Sequence, residues 1–220
     1  MEKSHRKCLA EAKRALESLD PSKDLSAPYI TNTTARVDLD VILDLHKVAQ
    51  NVWNVEYNPK RFPAAILRLR NPPATALLFS TGIMNVMGCS SPKDNKLAAR
   101  KFARSLQRIG YKVRLYKYEL NNVVAACSLG VRLDLNKLNI GKYGAQTIYE
   151  TELFPGMTFK IFDPKMTLVI FDNGNIVFTG AKSQEDIDRA LDFIRPILIS
   201  HVKVSSSADD TSRSRDSRAK

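Results

Sequence analysis

Phe62, Phe79, Phe154 and Phe171 form two matched sets, each ring 92 residues from its counterpart. A flat apolar ring at a strand end either fills a core or wedges between other flat rings. Taken singly, a Phe on a strand reads as core; the doubled position argues for the wedge. Asn32 and Asn122 recur in the same way, 90 residues apart. An amide carries a two-proton donor that suits a row of acceptors, although either Asn alone would read as a turn or strand-edge residue. None of this chemistry breaks a bond. His5, His46 and His201 are scattered, and no paired carboxylates, nucleophile–base set or metal-ligand spacing accompanies them. The residues point to recognition rather than catalysis, with no metal and no cofactor.

These residues belong to a longer echo. Glu56-Tyr57-Asn58-Pro59-Lys60-Arg61-Phe62-Pro63 answers to Ile148-Tyr149-Glu150-Thr151-Glu152-Leu153-Phe154-Pro155, and Leu78-Phe79-Ser80-Thr81-Gly82 to Ile170-Phe171-Asp172-Asn173-Gly174. A tandem repeat of this length implies two similar halves about a pseudo-two-fold axis. A surface built that way suits a partner that is itself nearly two-fold, and duplex DNA is the leading candidate.

The elements that must position these residues follow the same order in each half: strand, helix, several strands, long helix. Ile30 to Leu39 is rich in β-branched residues and suits a strand. Val41 to Trp53 places Ile42, Leu45, Val48, Ala49 and Val52 at helical spacing. Phe62 to Arg70 alternates, Asn71-Pro72-Pro73 forces a turn, and Ala74 to Ser80 and Met84 to Cys89 read as strands about Thr81-Gly82. Lys93 to Ile109 reads as a long helix stopped by Gly110, with Leu97, Phe102, Leu106 and Ile109 as its buried stripe. The second half gives Val113 to Leu129, a short helical segment near Leu133 to Ile140, strands from Phe154 through Thr179, and a helix from Glu185 to Ile199. Ile187, Leu191, Ile194 and Leu198 form the inner face of that helix. Helices can cover one face of such a sheet. The other face must be solvated, paired with a second copy, or bound to something.

Composition narrows the partner. The 220 residues can bury a real core, and 44% of them are hydrophobic. The formal charge is +11 with a pI near 9.6, which suits a polyanion. Residues 1–28 hold six basic and five acidic residues and 201–220 hold five and three, so +8 remains on 29–200 and the basicity belongs to the folded part. Three cysteines without CxxC spacing argue against a disulfide framework or a structural zinc. No signal-peptide stretch and no apolar run of about 18 residues is present, so a reducing compartment and no membrane segment are expected. Leu9, Ala10, Ala12, Leu16 and Leu19 suggest a short helix ended by Asp20-Pro21, although a mobile arm is the better reading.

Tyr57-Asn58-Pro59-Lys60-Arg61-Phe62, Thr75-Ala76-Leu77-Leu78-Phe79, Leu97-Ala98-Ala99-Arg100-Lys101, Glu152-Leu153-Phe154-Pro155-Gly156, Thr179-Gly180-Ala181-Lys182 and Pro196-Ile197-Leu198 stand in family order and at family spacing. On these motifs the region from residue 30 to residue 200 resembles the saddle core of the TATA-box-binding protein family. The resemblance implies an α+β fold: a pseudo-two-fold saddle, with a curved ten-stranded antiparallel sheet and four helices on the convex face. With the composition, it divides the chain into a mobile N-terminal arm (1–28), a first saddle repeat (29–110), a second (111–200) and a disordered Ser/Arg tail (201–220). It implies a nuclear promoter factor that binds the minor groove of A·T-rich double-stranded DNA, bends it and seeds preinitiation-complex assembly.

By the same resemblance, Phe62, Phe79, Phe154 and Phe171 are intercalating rings, and Asn32 and Asn122 reach the central base pairs. The minor groove of A·T shows acceptors, which an amide NH₂ can meet. Thr34, Leu77, Asn85, Met87, Val124, Val169, Val177 and Thr179 correspond to the base-contacting floor. Val124, Val177 and Thr179 keep the family's residues, whereas Thr34 and Asn85 stand where Val is usual and Met87 where Thr is usual. Arg61, Arg68, Arg70, Lys160 and Lys165 flank the wedge strands and are expected on phosphates; Asp163 stands where the family tends to be basic. Glu150, Glu152 and Leu153 match the surface for transcription factor IIB or its polymerase III counterpart, with Thr151 in place of the usual Pro. Arg100, Lys101, Arg104 and Arg108 resemble the regulator-binding convex helix, and transcription factor IIA is a further implied partner. Two other readings stay open: an interaction or decoy module that keeps its partner surfaces with weak or altered DNA binding, and self-association through the bare face without DNA. An enzyme acting on bases, suggested by the half-saddle of some glycosylases, finds no supporting residues.

Overall fold

A computed structural model describes residues 27–203. One antiparallel sheet holds β1 (Tyr29–Asp38), β2 (Val55–Glu56), β3 (Ala65–Arg70), β4 (Pro73–Leu78), β5 (Ile83–Cys89), β6 (Lys117–Ser128), β7 (Thr147–Ile148), β8 (Met157–Phe162), β9 (Lys165–Ile170) and β10 (Asn175–Ala181). Their spatial order is β2-β3-β4-β5-β1-β6-β10-β9-β8-β7. It reads alike from either end once the first five strands are matched with the last five. At the centre β1 and β6 run antiparallel, with Asn32 opposite Val124 and Thr34 opposite Asn122. The repeat's two copies of one residue pair therefore lie side by side across the axis. With α1 (Leu45–Asn51), α2 (Pro92–Arg108), α3 (Leu135–Ile140) and α4 (Gln184–Ile199), the described residues form the expected α+β saddle.

Alternation decides which face each strand residue takes. In β3, Ala65 and Leu67 are buried against helices while Arg68 and Arg70 are exposed on the other face. In β8, Met157, Phe159 and Ile161 face inward while Lys160 and Phe162 do not. Each repeat has its own helix-side core. Val37, Leu67, Met84 and Val86 meet Ala98, Phe102 and Leu106 of α2; Val123, Phe159, Leu168 and Phe178 meet Ile187, Leu191, Ile194 and Leu198 of α4. Truncating one such Phe to Ala costs about 3–5 kcal/mol. The long helices begin at side-chain caps. Ser91 Oγ accepts from Asp94 N at 3.0 Å, with Pro92 in the first turn. Ser183 and Asp186 form a reciprocal capping box.

Three sequence expectations need correction. Helix α1 has seven residues and does not span Val41 to Trp53. The Asp44 carboxylate accepts from His46 N and Lys47 N and starts the helix late, and Val52 is already extended. Ile42 and Trp53 stand outside it, exposed. Leu97, expected in the buried stripe of α2, is 44% exposed. The buried face is Asn95, Ala98, Ala99, Phe102, Ala103 and Leu106, because small residues bring the helix close to the sheet and Asn95 finds partners inside. Edge strands β2 and β7, two residues each, leave no periodicity to read. His201 to Lys203, assigned to the tail, pair instead with the segment before α3: Val202 bridges Leu133 and Lys203 N donates to Arg132 O at 2.9 Å. The Leu9–Leu19 stretch and the Ser/Arg segment after 203 lie outside the described residues. Among those described, no helix is long and apolar enough to cross a membrane.

Candidate nucleic-acid interface

Two bulges shape the helix-free face. Thr33 faces Cys89 and Thr34 faces Met87, which leaves Gly88 as an extra residue on β5. Val123 faces Ala181 and Ala125 faces Phe178, so β10 carries an extra residue in the same place, around Gly180. Gly88 and Gly180 adopt φ of +99° and +93°, where a Cβ is strained. A bulge takes a backbone N–H out of the ladder, and that donor needs another acceptor. Gly88 N donates to Asn32 Oδ1 at 2.9 Å, and Gly180 N donates to Asn122 Oδ1 at 2.8 Å. Each bond engages the amide oxygen and so makes NH₂ the opposite, donor end of the side chain. Sequence reasoning found the two asparagines and missed the glycines that orient them. Their 92-residue spacing was the available signal.

The four rings come together in twos. Phe62 and Phe79 meet edge-on with centroids 6.4 Å apart, and Phe154 and Phe171 do so at 5.8 Å. Matched turns carry one ring of each set. Arg61 N and Phe62 N both reach Asn58 O at 3.0 Å; Leu153 N and Phe154 N reach Glu150 O at 3.0 and 2.9 Å. The other rings follow β4 and β9, where Phe79 N bonds Ile83 O and Phe171 N bonds Asn175 O, both at 2.9 Å. Phe62 is exposed where its counterpart Phe154 is half-buried, and Phe79 is half-buried where Phe171 is buried, so the first set is the more open of the two. Gly156 lies under the second set, where an added Cβ would come within 2.5 Å of the Phe154 ring. Its counterpart in the first repeat is Ala64.

The floor between them is laid by cross-strand pairs. Leu77 faces Asn85 and Thr75 faces Met87 in the first half; Val169 faces Val177 and Thr167 faces Thr179 in the second. Thr34, Leu77, Asn85 and Met87 are half-buried. Val124, Val169, Val177 and Phe171 are buried with Ala126 in a third apolar cluster, against which Tyr29 and Phe154 pack. Thr179 is buried and its Oγ1 donates to Thr167 O at 3.1 Å. The expected bare face thus lacks helices among the described residues but is not uniformly open. Neighbouring β-branched and aromatic side chains on one sheet face bury each other.

Basic residues rim this floor. Lys160 and Lys165 line one concavity with Lys182, Phe162, Asn85 and Met87. Arg61 lines another with Tyr57, Phe62 and Leu77. Lys182 and the exposed Phe162 were not singled out from sequence. Arg68 and Arg70 share the helix-free face of β3, but Arg68 is already paired with Glu56 at 2.7 Å. That hydrogen bond and the guanidinium charge hold the Glu56 carboxyl below the usual range. Arg36 sits opposite Asn85 on one side and Glu119 on the other. Glu119 pairs with Lys117 at 2.7 Å, which lowers the carboxyl and raises the amine. Asp163 is exposed, 3.8 Å from Arg189.

On the outer surfaces, Glu150, Glu152 and Leu153 form an exposed turn. Arg100, Arg104 and Arg108 repeat every fourth residue along the exposed side of α2. Lys101 differs from them: its Nζ donates to Asn71 O at 2.6 Å and holds the β3–β4 turn. Cys89 and Cys127 are buried, and burial pushes their thiols up to about 11 and about 12. Among the described residues no cluster of three or more His, Cys, Asp or Glu is placed to hold a metal.

One sheet with helices on one side and matched amides and ring sets on the other defines a pseudo-two-fold saddle protein. The family model described as transcription factor TFIID, or TATA-binding protein, matches residues 27–109 and 117–201. The chain is 44% identical over 179 residues to TATA-box-binding protein-like 1 of Entamoeba histolytica, covering 81% of this chain and 82% of that one. It is 42% identical over 184 residues to the TATA-box-binding protein of Saccharomyces cerevisiae, covering 81% and 76%. The longer Bombyx mori TATA-box-binding protein is 43% identical, and 57% of its length is spanned. The solved Methanococcus jannaschii TBP superposes with a TM-score of 0.72 at 32% identity, over 79% of this chain and 98% of that one. The chain belongs to the TATA-box-binding protein family, whose members are DNA-binding transcription initiation factors and not enzymes.

Proposed function

We propose that this protein binds the minor groove of A·T-rich promoter DNA along its helix-free face, bends the duplex with its two ring sets, and recruits general transcription factors in the nucleus. The duplicated Asn–Gly bulge carries the reading. In both halves an amide oxygen is taken by a bulge N–H, and the NH₂ is the end that a minor-groove acceptor would meet. Phe62 with Phe79 and Phe154 with Phe171 wedge the flanking base steps, at a cost of a few kcal/mol that wider contact offsets. Arg61, Arg68, Arg70, Lys160 and Lys165 take phosphates. Glu150, Glu152 and Leu153 dock transcription factor IIB or its polymerase III counterpart, and the α2 arginines meet a second factor such as transcription factor IIA. Fluorescence energy transfer across a labelled A·T-rich duplex should report a large bend; a straight duplex at saturating protein would sink the proposal.

The two halves of the duplex are read differently. Val124, Val177 and Thr179 exclude the guanine amino group and keep A·T selectivity in the half-site under the second repeat. Asn85 offers a carbonyl that can accept from guanine N2, and Thr34 and Met87 stand where the second repeat has Val124 and Thr179, so the first-repeat floor differs at all three places. Selection from random duplexes should return unequal half-sites; equal A·T preference in both refutes the assignment. Glu119 and Asp163, anions on or beside the same face, favour a second reading in which partner factors are bound and DNA only weakly. Strong duplex binding with a steep salt slope removes that reading.

A further inference from the structure

Behind the first-repeat bulge lies a polar cluster that the second repeat lacks. Asn95 of α2 is fully buried. Its Nδ2 donates to Thr33 O at 3.2 Å, Thr33 Oγ1 at 3.1 Å and Val86 O at 3.1 Å. Its Oδ1 accepts from the Tyr118 hydroxyl of β6 at 3.0 Å. Thr33 Oγ1 in turn donates to Cys89 O at 3.0 Å. Val86 belongs to β5, the strand that carries Gly88, and Thr33 to its neighbour β1, where Thr33 pairs with Cys89 and Ala35 with Val86. One carboxamide therefore spans the bulge from the helix side and reaches a third strand. On the opposite side Asn32 Oδ1 holds Gly88 N. The bulge is gripped from both faces. By the repeat, the counterparts of Asn95 and Thr33 are Ile187 and Val123, both buried and apolar. The second bulge has its Asn122 contact and no such amide behind it.

We infer that Asn95 is a positioning residue for DNA reading: with Tyr118 and Thr33 it fixes the Gly88 bulge, and through it the donor amide of Asn32 and the register of Thr34 and Met87. The inference rests on the proposed DNA-binding role of that floor. Its geometric part stands apart from that role. A buried amide with all its partners specifies one arrangement, and removing it leaves carbonyls that the strands must move to satisfy. The bulge is where they can move, because its backbone is already outside the regular ladder.

The test uses the full chain with Asn95→Leu and, as a milder change that keeps the amide, Tyr118→Phe. Amide hydrogen exchange is read at Gly88 and at Gly180 in the free protein. For Asn95→Leu, exchange at Gly88 should rise about tenfold, the scale of one lost buried hydrogen bond, while Gly180 stays within about twofold. Tyr118→Phe should move Gly88 alone by a smaller factor, and it decides the matter if Asn95→Leu does not fold. A parallel rise at both glycines means loss of general stability and overturns the inference; so does no change at Gly88. In competition binding, discrimination against base changes should fall about tenfold in the half-site under the first repeat and hold under the second. Equal loss in both halves, or none, also overturns it. If the unmodified protein shows no duplex preference, the DNA reading fails, and exchange at Gly88 still decides the positioning claim.

Discussion

Gly156→Ala tests whether the ring sets act as wedges whose spacing is set from beneath. Glycine is not required there by backbone conformation, since Gly156 is absent from the positive-φ positions. The constraint is contact. A Cβ would lie 2.5 Å from Phe154 Cε1, 2.9 Å from Phe171 Cε1 and 2.9 Å from Val169 Cγ1, where ordinary contact begins at 3.4 Å. Three side chains must give way at once. The first repeat shows what an alanine does at this place: above Ala64 the rings stand 6.4 Å apart, against 5.8 Å above Gly156. The variant should therefore spread the second ring set by about half an ångström. Phe154 is partly exposed and can retreat, so the overpacking cost falls near the low end, about 1 kcal/mol. That corresponds to a melting point lower by about 2–4 °C for a domain of this size. Affinity for an A·T-rich duplex should drop about five- to tenfold, since about 1.4 kcal/mol is a factor of ten, and the energy-transfer bend should shrink. Unchanged melting and affinity would refute the steric argument. A lowered melting point with unchanged affinity and bend would refute the wedge role while leaving the packing intact.

Three further outcomes are expected. Asn32→Asp keeps the acceptor for Gly88 N but loses the donor, so it should fold normally and weaken duplex binding by about 1–3 kcal/mol; binding within twofold of the original counts against the donor role. Asp163→Lys gives up only an exposed pair with Arg189 at 3.8 Å and adds a cation beside Lys165. Its plot of log affinity against log salt should steepen by about 0.9 per phosphate gained; a parallel line argues that this turn stays off the duplex. The buried thiols should make stability fall in alkali. An unfolded thiol ionises near 9.0, while Cys89 and Cys127 are held up to about 11 and about 12. Their contribution is thus complete below pH 9 and lost as pH rises through the folded values. Urea midpoints between pH 8 and 10 should fall more for the native chain than for a Cys89→Ala/Cys127→Ala variant; equal falls would assign the loss to other groups.

The strands were legible because alternation survives in them: Ala65, Leu67 and Leu69 against Ile66, Arg68 and Arg70 sort correctly onto two faces. Helix α4 was legible from its helical period instead, with Ile187, Leu191, Ile194 and Leu198 all buried. Matched spacing found all four rings and both amides, which the structure gathers on one face. The bulges were not legible, since one inserted residue at Gly88 or Gly180 shifts a phase without leaving a period. Leu97 misled because an amphipathic count scores leucine as inside and asparagine as outside. A carboxamide with four partners reverses that order at Asn95. The length of α1 misled because Val41 and Ile42 continue the apolar spacing, whereas Asp44 starts the helix with its side chain.

The two faces of the sheet are under different constraints, and this explains how a symmetric frame can carry unequal chemistry. The frame is held by bonds that ignore floor identity: strand ladders, the Asn–Gly contacts, the Asn58 and Glu150 turns, and two helix-side cores. Floor side chains point away from those cores. Asn85 where Val is usual, or Met87 where Thr is usual, leaves every frame bond in place, so such a change costs the fold little while altering what the helix-free face presents. Helix-side changes are different, for a polar group there must bring its whole set of partners. Asn95, Thr33 and Tyr118 therefore stand or fall together, whereas Ile187 and Val123 need only fit. The first-repeat bulge has the Asn95 cluster behind it and Asn85 and Met87 on its floor, whereas the second has Ile187 and Val123 behind it and Val177 and Thr179 on its floor. On the proposed DNA reading, the first repeat is therefore the half in which recognition of the duplex can change.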